Sequence, residues 1–142
     1  MPGFEGLINV AGRRTDEALM AWQRLKTQCD EAKQKLSLLR QHGERYRNQM
    51  RVSLQEGIGA TATMAFVGFI GQIEEVVVRQ EGEVGRLEEA CTRQWQELVE
   101  ARRDKRLYEI LRDRDATRKM EAALKRSQSE IDELLQRVAK LL

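Results

Sequence analysis

The spacing of apolar residues predicts a long first helix. Between Ile8 and Met50, mostly apolar residues recur at alternating intervals of three and four, and the residues between them are mostly charged or amide side chains. The series is Ile8, Ala11, Thr15, Ala18, Trp22, Leu25, Cys29, Ala32, Leu36, Leu39, Gly43, Tyr46 and Met50. A mean spacing of about 3.5 residues is typical of a coiled-coil seam, because it keeps one apolar stripe facing a partner helix. We therefore predict a first helix over about residues 4–56.

A glycine-containing interruption predicts a reversal of the chain. Gly57 and Gly59 are followed by Thr61 and Thr63. Glycine commonly ends helices, and threonine can cap the next one. We predict a turn over about residues 57–61 and a second helix over about residues 62–141. Because a short connection makes the flanking helices antiparallel neighbours, the chain should fold as a hairpin.

The second helix carries two apolar series with different registers. The first is Phe66, Ile70, Ile73, Val77, Gln80, Val84, Leu87, Cys91, Gln94, Leu98 and Ala101. The second, after a charged stretch, is Thr117, Met120, Leu124, Ser127, Ile131, Leu134, Val138 and Leu141. A turn centred near residue 59 would place Trp22 near Trp95 and Cys29 near Cys91, and would leave residues after about 112 without a partner. The predicted fold is all-α: two long helices forming an antiparallel coiled-coil hairpin with a C-terminal helical overhang, in a single domain of residues 1–142.

Composition agrees with this fold and excludes several classes of function. Charged residues make up 34% of the 142 residues and aromatic residues 5%, which suits a narrow seam better than a thick globular core. The net charge of +2 argues against a nucleic-acid partner. The two cysteines lack metal-ligand spacing, His42 is the only histidine, and no phosphate-binding loop of the GxxxxGK type occurs. We therefore predict no catalytic residue, no metal site and no cofactor, and a function in binding other proteins.

The longest apolar run, Met64 to Gly71, is much shorter than the ~20 residues of a membrane-spanning helix. No signal peptide is recognisable, so we predict a cytoplasmic protein with no direct membrane insertion. The stretch from Gly57 to Ile73 contains no charged residue and leaves two interpretations open. It could lie on a membrane surface, or it could be a hairpin tip with a docking face; the second is favoured because the stretch continues into the second seam.

Several short segments, in the same order and at similar spacing, resemble the bacterial flagellar export protein FliJ. These are Cys29–Ala32, Leu36, Leu39, Tyr46 with Arg47, Gly57–Gly59, Phe69 with Ile70, Glu74, Glu100–Leu107 and Leu111–Arg114. The resemblance covers most of the chain and implies a two-helix antiparallel coiled coil. It implies a stalk that inserts the end formed by both termini into the hexameric ring of the flagellar export ATPase. The same resemblance implies contacts with the cytoplasmic domain of the export gate and with substrate chaperones, at the inner membrane.

The resemblance also suggests which residues carry these contacts. The export-gate surface would comprise Lys35, Leu39, His42, Tyr46, Phe69, Ile73, Val76 and Gln80. The ATPase-facing surface would comprise Arg13, Arg14, Arg102, Arg103, Lys105, Arg106 and Arg112. Helical spacing places each half of the gate surface on one stripe. Leu39, Tyr46 and Ile73 could instead be ordinary seam residues, and the charged stretch could be a solvated face with i,i+4 pairs.

Two rival functions remain at this stage. One is the equivalent stalk of a virulence type III secretion system, which shares the architecture. The other is a self-assembling structural coiled coil, which would use residues 112–142 to dimerise. A stalk should instead be largely monomeric alone and offer this segment to its partner.

Overall fold

The computed structural model describes residues 3–142 and consists of two long α-helices. Helix α1 spans Gly3–Gln55 and helix α2 spans Ala60–Leu141, and residues 56–59 connect them. The part of the chain from residue 3 onward contains no β-strand. The helices form two compact units, which we call the turn unit (Glu17–Leu98) and the terminal unit (the described residues up to Asp16, with Val99–Leu142).

The connection between the helices is a Schellman motif. The backbone N–H of Gly57 donates to the carbonyl of Leu54 at 3.2 Å, and the N–H of Ile58 donates to that of Ser53, also at 3.2 Å. Gly57 has φ of +83°, a left-handed conformation that only glycine adopts without strain. Two carbonyls at the end of α1 are thereby satisfied as the chain reverses.

The start of α2 differs from the predicted threonine cap. The helix already begins at Ala60, and the Thr63 hydroxyl donates back to the Gly59 carbonyl at 3.2 Å. In this position the hydroxyl shares an acceptor with the Thr63 N–H, which is 3.1 Å from the same oxygen. The threonine therefore satisfies none of the orphan N–H groups that a capping residue would satisfy.

In the turn unit, α1 and α2 pack along the predicted seam. The buried cluster contains Cys29, Ala32, Leu36, Val84 and Leu87. Trp22 and Trp95 are stacked at a tilt with ring centroids 5.1 Å apart, which confirms their predicted proximity. Cys91 is half-buried and lies outside this cluster, so the proximity of Cys29 and Cys91 stays a prediction. The helix ends place the centre of the turn between Gly57 and Ile58, slightly before the predicted centre.

Ion pairs between the helices follow one edge of the turn unit. They join Lys33 to Glu88 at 3.7 Å, Arg40 to Glu81 at 3.5 Å and Arg47 to Glu74 at 2.9 Å. The basic partner always lies on α1, and successive pairs are one heptad apart on both helices. Exposed pairs add little to stability, but a shifted register would separate all three.

In the terminal unit, the start of α1 packs against residues 99–112 of α2. Ile8, Ala11 and Ala101 are buried, and Lys105 lies along the surface left open by Gly12. Every residue from Ala116 onward is exposed, although α2 continues to Leu141. The predicted all-α hairpin with a C-terminal helical overhang is therefore confirmed.

Candidate protein-binding surfaces

The eight residues of the predicted gate surface all lie in the turn unit, on both helices. Lys35, His42, Phe69 and Val76 are exposed, and Leu39, Tyr46, Ile73 and Gln80 are half-buried. The half-buried residues agree with both interpretations made from the sequence, gate surface and seam, because each contributes to the seam and still presents part of its side chain to solvent.

An aromatic pair joins the two halves of this surface. The Tyr46 ring meets the edge of the Phe69 ring with centroids 4.6 Å apart and planes inclined at 64°. Phe69 remains 43% exposed despite this contact. Edge-to-face geometry is a preferred arrangement of two aromatic rings. The pair therefore forms an aromatic projection that spans both helices.

A groove of about 370 Å³ opens between α1 and α2, and its apolar lining includes Leu39, Gly43, Ile73 and Val77. Ile73 packs over Gly43, because a Cβ atom there would be in van der Waals contact with the Ile73 Cγ2 atom at 3.4 Å. The groove combines apolar side chains with adjacent charged groups, a combination typical of protein-binding sites.

Two polar contacts join α1 to α2 within the predicted gate surface or next to it. The Gln80 side-chain amide donates across the interface to the Ala32 carbonyl at 3.0 Å. Arg47 donates to Glu74 at 2.9 Å, and this hydrogen bond raises the pKa of Arg47 above its usual value. Both contacts join α1 to α2, so the surface is held by the hairpin itself.

The predicted ATPase-facing residues all lie in the terminal unit, where the structure divides them into two groups. Arg14 binds Asp104 at 2.9 Å, and Arg112 reaches Glu5 and Asp113, each at 3.3 Å. Hydrogen bonds to Asp113 and then Glu5 raise the pKa of Arg112. These two arginines hold the helices together, with Lys105 packed near Gly12.

The remaining four basic residues of this set point outward. Arg13, Arg102, Arg103 and Arg106 are exposed, and Arg106 also contacts Glu109 at 3.5 Å within α2. They are the members of the predicted set whose charges are most open to a partner. Sequence periodicity did not separate them from Arg14 and Arg112, because the separation depends on which side chains face the other helix.

The structure exposes a further apolar surface that the seam pattern did not identify. It surrounds the turn and includes Val52, Leu54, Met64 and Val67, which are 50%, 48%, 74% and 58% exposed. Helix α2 also contains an 18-residue window, of mean hydropathy 1.3, that could cross a membrane by length and composition alone. Within the described residues, no group of three or more His, Cys, Asp or Glu side chains could hold a metal ion.

The hairpin, its aromatic projection and its four exposed basic residues are features of a coiled-coil protein that binds other proteins. The family model described as "Flagellar FliJ protein" matches residues 3–140. The chain therefore belongs to the FliJ family of non-catalytic accessory proteins, which belong to the cytoplasmic type III protein-export apparatus.

A solved structure supports the fold. The chain is similar to a protein of Chlamydia trachomatis described as a YscO homologue, with a TM-score of 0.55 and 16% sequence identity. The similarity covers 97% of this chain and 90% of the other. No curated protein matches this chain in sequence.

Proposed function

We propose that this protein is a flagellar type III export accessory protein. It acts as a stalk that binds the export ATPase ring and the cytoplasmic domain of the export gate, and it escorts substrate chaperones. It works in the cytoplasm, at the inner-membrane export apparatus, and hydrolyses no ATP itself. The observation that carries the proposal is the Tyr46–Phe69 pair, which joins both halves of the gate surface into one exposed aromatic projection.

The gate contact is tested by removing this pair. We expect Tyr46→Ala with Phe69→Ala to weaken binding to the purified gate domain by at least about tenfold in calorimetric titration, since central aromatic residues dominate protein interfaces. The matched control is Leu38→Ala with Val78→Ala, which removes exposed apolar side chains from the same two helices. Equal affinity for both variants, with helix content intact, would contradict the proposed gate surface.

The ATPase contact rests on the exposed basic residues of the terminal unit. Basic side chains of this kind can make successive weak contacts with identical subunits of a ring, and such contacts favour rate and specificity over affinity. Arg102→Glu with Arg103→Glu should abolish co-sedimentation with the ATPase hexamer in analytical ultracentrifugation. Arg79→Glu with Arg93→Glu, also exposed on α2, should leave it unchanged. Loss of binding in both variants would indicate a nonspecific charge effect.

Two alternatives make different predictions in the same experiments. A virulence-system stalk would bind a virulence ATPase in preference to the flagellar one. A self-assembling coiled coil would sediment as a stable dimer and ignore either ATPase. The apolar series from Met120 to Leu141 is exposed, so the dimer must be compared with the stalk.

A further inference from the structure

The turn unit exposes apolar side chains on both helices where they approach the turn. We call Val52, Leu54, Met64 and Val67 the tip surface; each has at least 48% of its area exposed. In a coiled coil, residues outside the seam are normally charged or polar, because they face water. Here the run from Gly57 to Ile73 contains no charged residue at all. The α2 half of the tip surface therefore has no charged neighbour along the chain, whereas Val52 and Leu54 lie between Arg51 and Glu56.

The apolar side chains of the tip surface point in several directions. Val52 and Leu54 are two residues apart on α1, so they project about 200° from each other around the helix axis. Met64 and Val67 are three residues apart on α2 and lie on one face of that helix. A partner helix would require a single apolar stripe. A distribution over several sides instead fits a medium that surrounds the tip, such as lipid.

Most residues of this segment are exposed, although Ile70 is buried and Val77 packs against the core cluster. The most apolar 18-residue window of α2 lies within residues 60–78. No 18-residue stretch elsewhere in this helix has as few as two charged residues, which here are Glu74 and Glu75. Only 6% of this window is buried. In addition, Cβ atoms added at Gly68 and Gly71 would meet nothing within 4 Å, so these glycines are not required by packing inside the hairpin.

Charges on the paired helix limit how deep the tip can enter. Glu44, Arg45, Arg47 and Arg51 lie on α1 close to the turn, Glu56 lies in the connection itself, and Glu74 and Glu75 lie further along α2. Burying these charges in hydrocarbon would be costly, so the hairpin cannot span a bilayer. Arg45 and Arg51 are exposed and lie before the apolar segment. At shallow insertion their guanidinium groups would reach the level of the lipid phosphates.

We propose that the tip surface inserts into the interfacial region of a phospholipid bilayer. Val52, Leu54, Met64 and Val67 enter the boundary between headgroups and acyl chains, and Arg45 and Arg51 contact phosphate groups. This shallow contact is not membrane spanning, but it departs from the prediction of no direct membrane insertion made from the sequence. It does not depend on the gate or ATPase contacts proposed above.

The test is flotation of the protein with vesicles of phosphatidylethanolamine and phosphatidylglycerol. We expect the protein to float with the vesicles, and part of the binding to persist at high salt because apolar insertion is not screened. Met64→Gln with Val67→Gln should weaken binding at least about tenfold, since burial of each side chain favours the bound state. Val52→Gln with Leu54→Gln on the other helix should weaken it similarly.

The matched control is Met120→Gln with Leu124→Gln, which removes two side chains of similar exposure, 67% and 64%, from the overhang. This variant should float like the unmodified protein. Failure of the unmodified protein to float, or dependence on only one of the two tip pairs, would overturn the proposal and favour a protein partner for this surface. Equal loss in the control would do the same. Gate titration of the tip variants should be normal, which separates this result from failure of the proposed export function.

Discussion

At the scale of single residues, burial distinguishes a few side chains from a mostly exposed chain. Leu98 is fully buried, with 0% of its area exposed, whereas Leu38 is 57% exposed on α1. Two paired helices enclose few side chains completely, so a large residue that is enclosed should contribute more to stability than its neighbours.

We expect Leu98→Ala to lower the free energy of unfolding by about 2–5 kcal/mol, the usual cost of removing a buried leucine side chain and leaving a cavity. Urea denaturation followed by circular dichroism would measure the change. Leu38→Ala is the control and should change stability by less than about 0.5 kcal/mol. An equal loss of stability in both variants would mean that the two leucines are equally buried in solution, which contradicts the structure.

An exposed ion pair provides a second prediction at this scale. Arg86 donates to the two carboxylate oxygens of Glu83 at 2.6 and 3.0 Å, and these hydrogen bonds hold the pKa of Glu83 below its usual 4.5. Because the folded-state pKa is lowered, the stabilising effect is present above about pH 4.5 and is lost as the pH falls through the lowered value. Arg86→Gln should raise the pKa of Glu83, as measured by NMR titration of its carboxyl group. An unchanged pKa would show that the pair is not formed in solution.

At the scale of elements, the turn depends on one backbone conformation. Gly57 has a φ of +83°, and its N–H takes part in the Schellman motif that ends α1. A side chain at this position is strained even though the space around it is open.

We expect Gly57→Ala to destabilise the protein by about 1–2 kcal/mol, the cost of a left-handed conformation for a residue with a Cβ atom. Gly68→Ala should have the opposite effect, a gain of about 0.5–1 kcal/mol, because Gly68 lies within α2 and an added Cβ meets nothing within 4 Å. Thermal unfolding of both variants measures the difference. Destabilisation by Gly68→Ala would indicate that this face is packed in solution.

At the scale of the whole molecule, the overhang is the part of the chain that lacks tertiary contacts. Residues 116–142 are all exposed, although eight of them form the second seam series, with Met120 67% and Leu141 86% exposed. Side-chain interactions within this segment, such as Gln128 with Asp132 at 3.3 Å, join residues of the same helix.

We expect a chain that ends at Ala116 to unfold at nearly the same urea concentration as the full chain, because the removed residues bury no shared surface. Its mean residue helicity should differ only through the lost segment, and both chains should sediment as monomers. A clear drop in the midpoint, together with a dimer in the full chain alone, would show that the overhang binds a second copy. That result would favour the self-assembling alternative over the stalk.

The sequence alone was enough to predict the two helices, their antiparallel pairing, the overhang and the Trp22–Trp95 contact. These features follow from the heptad period and from one glycine-containing interruption, which are local properties of the chain. The predicted threonine cap was wrong, because the helix start depends on a backbone path that Gly57 and Gly59 permit and composition does not specify.

The tertiary structure decided the features that depend on side chains from two helices at once. The register of the two helices, with the turn centred between Gly57 and Ile58, determines that Tyr46 meets Phe69. It also determines that Arg14 and Arg112 bind acidic partners across the interface. Arg102 and Arg103 face outward for the same reason. The register also determines that the apolar residues around the turn stay exposed. A shift of a few residues in the pairing would preserve the heptad pattern and change every one of these contacts, so only the three-dimensional arrangement could specify them.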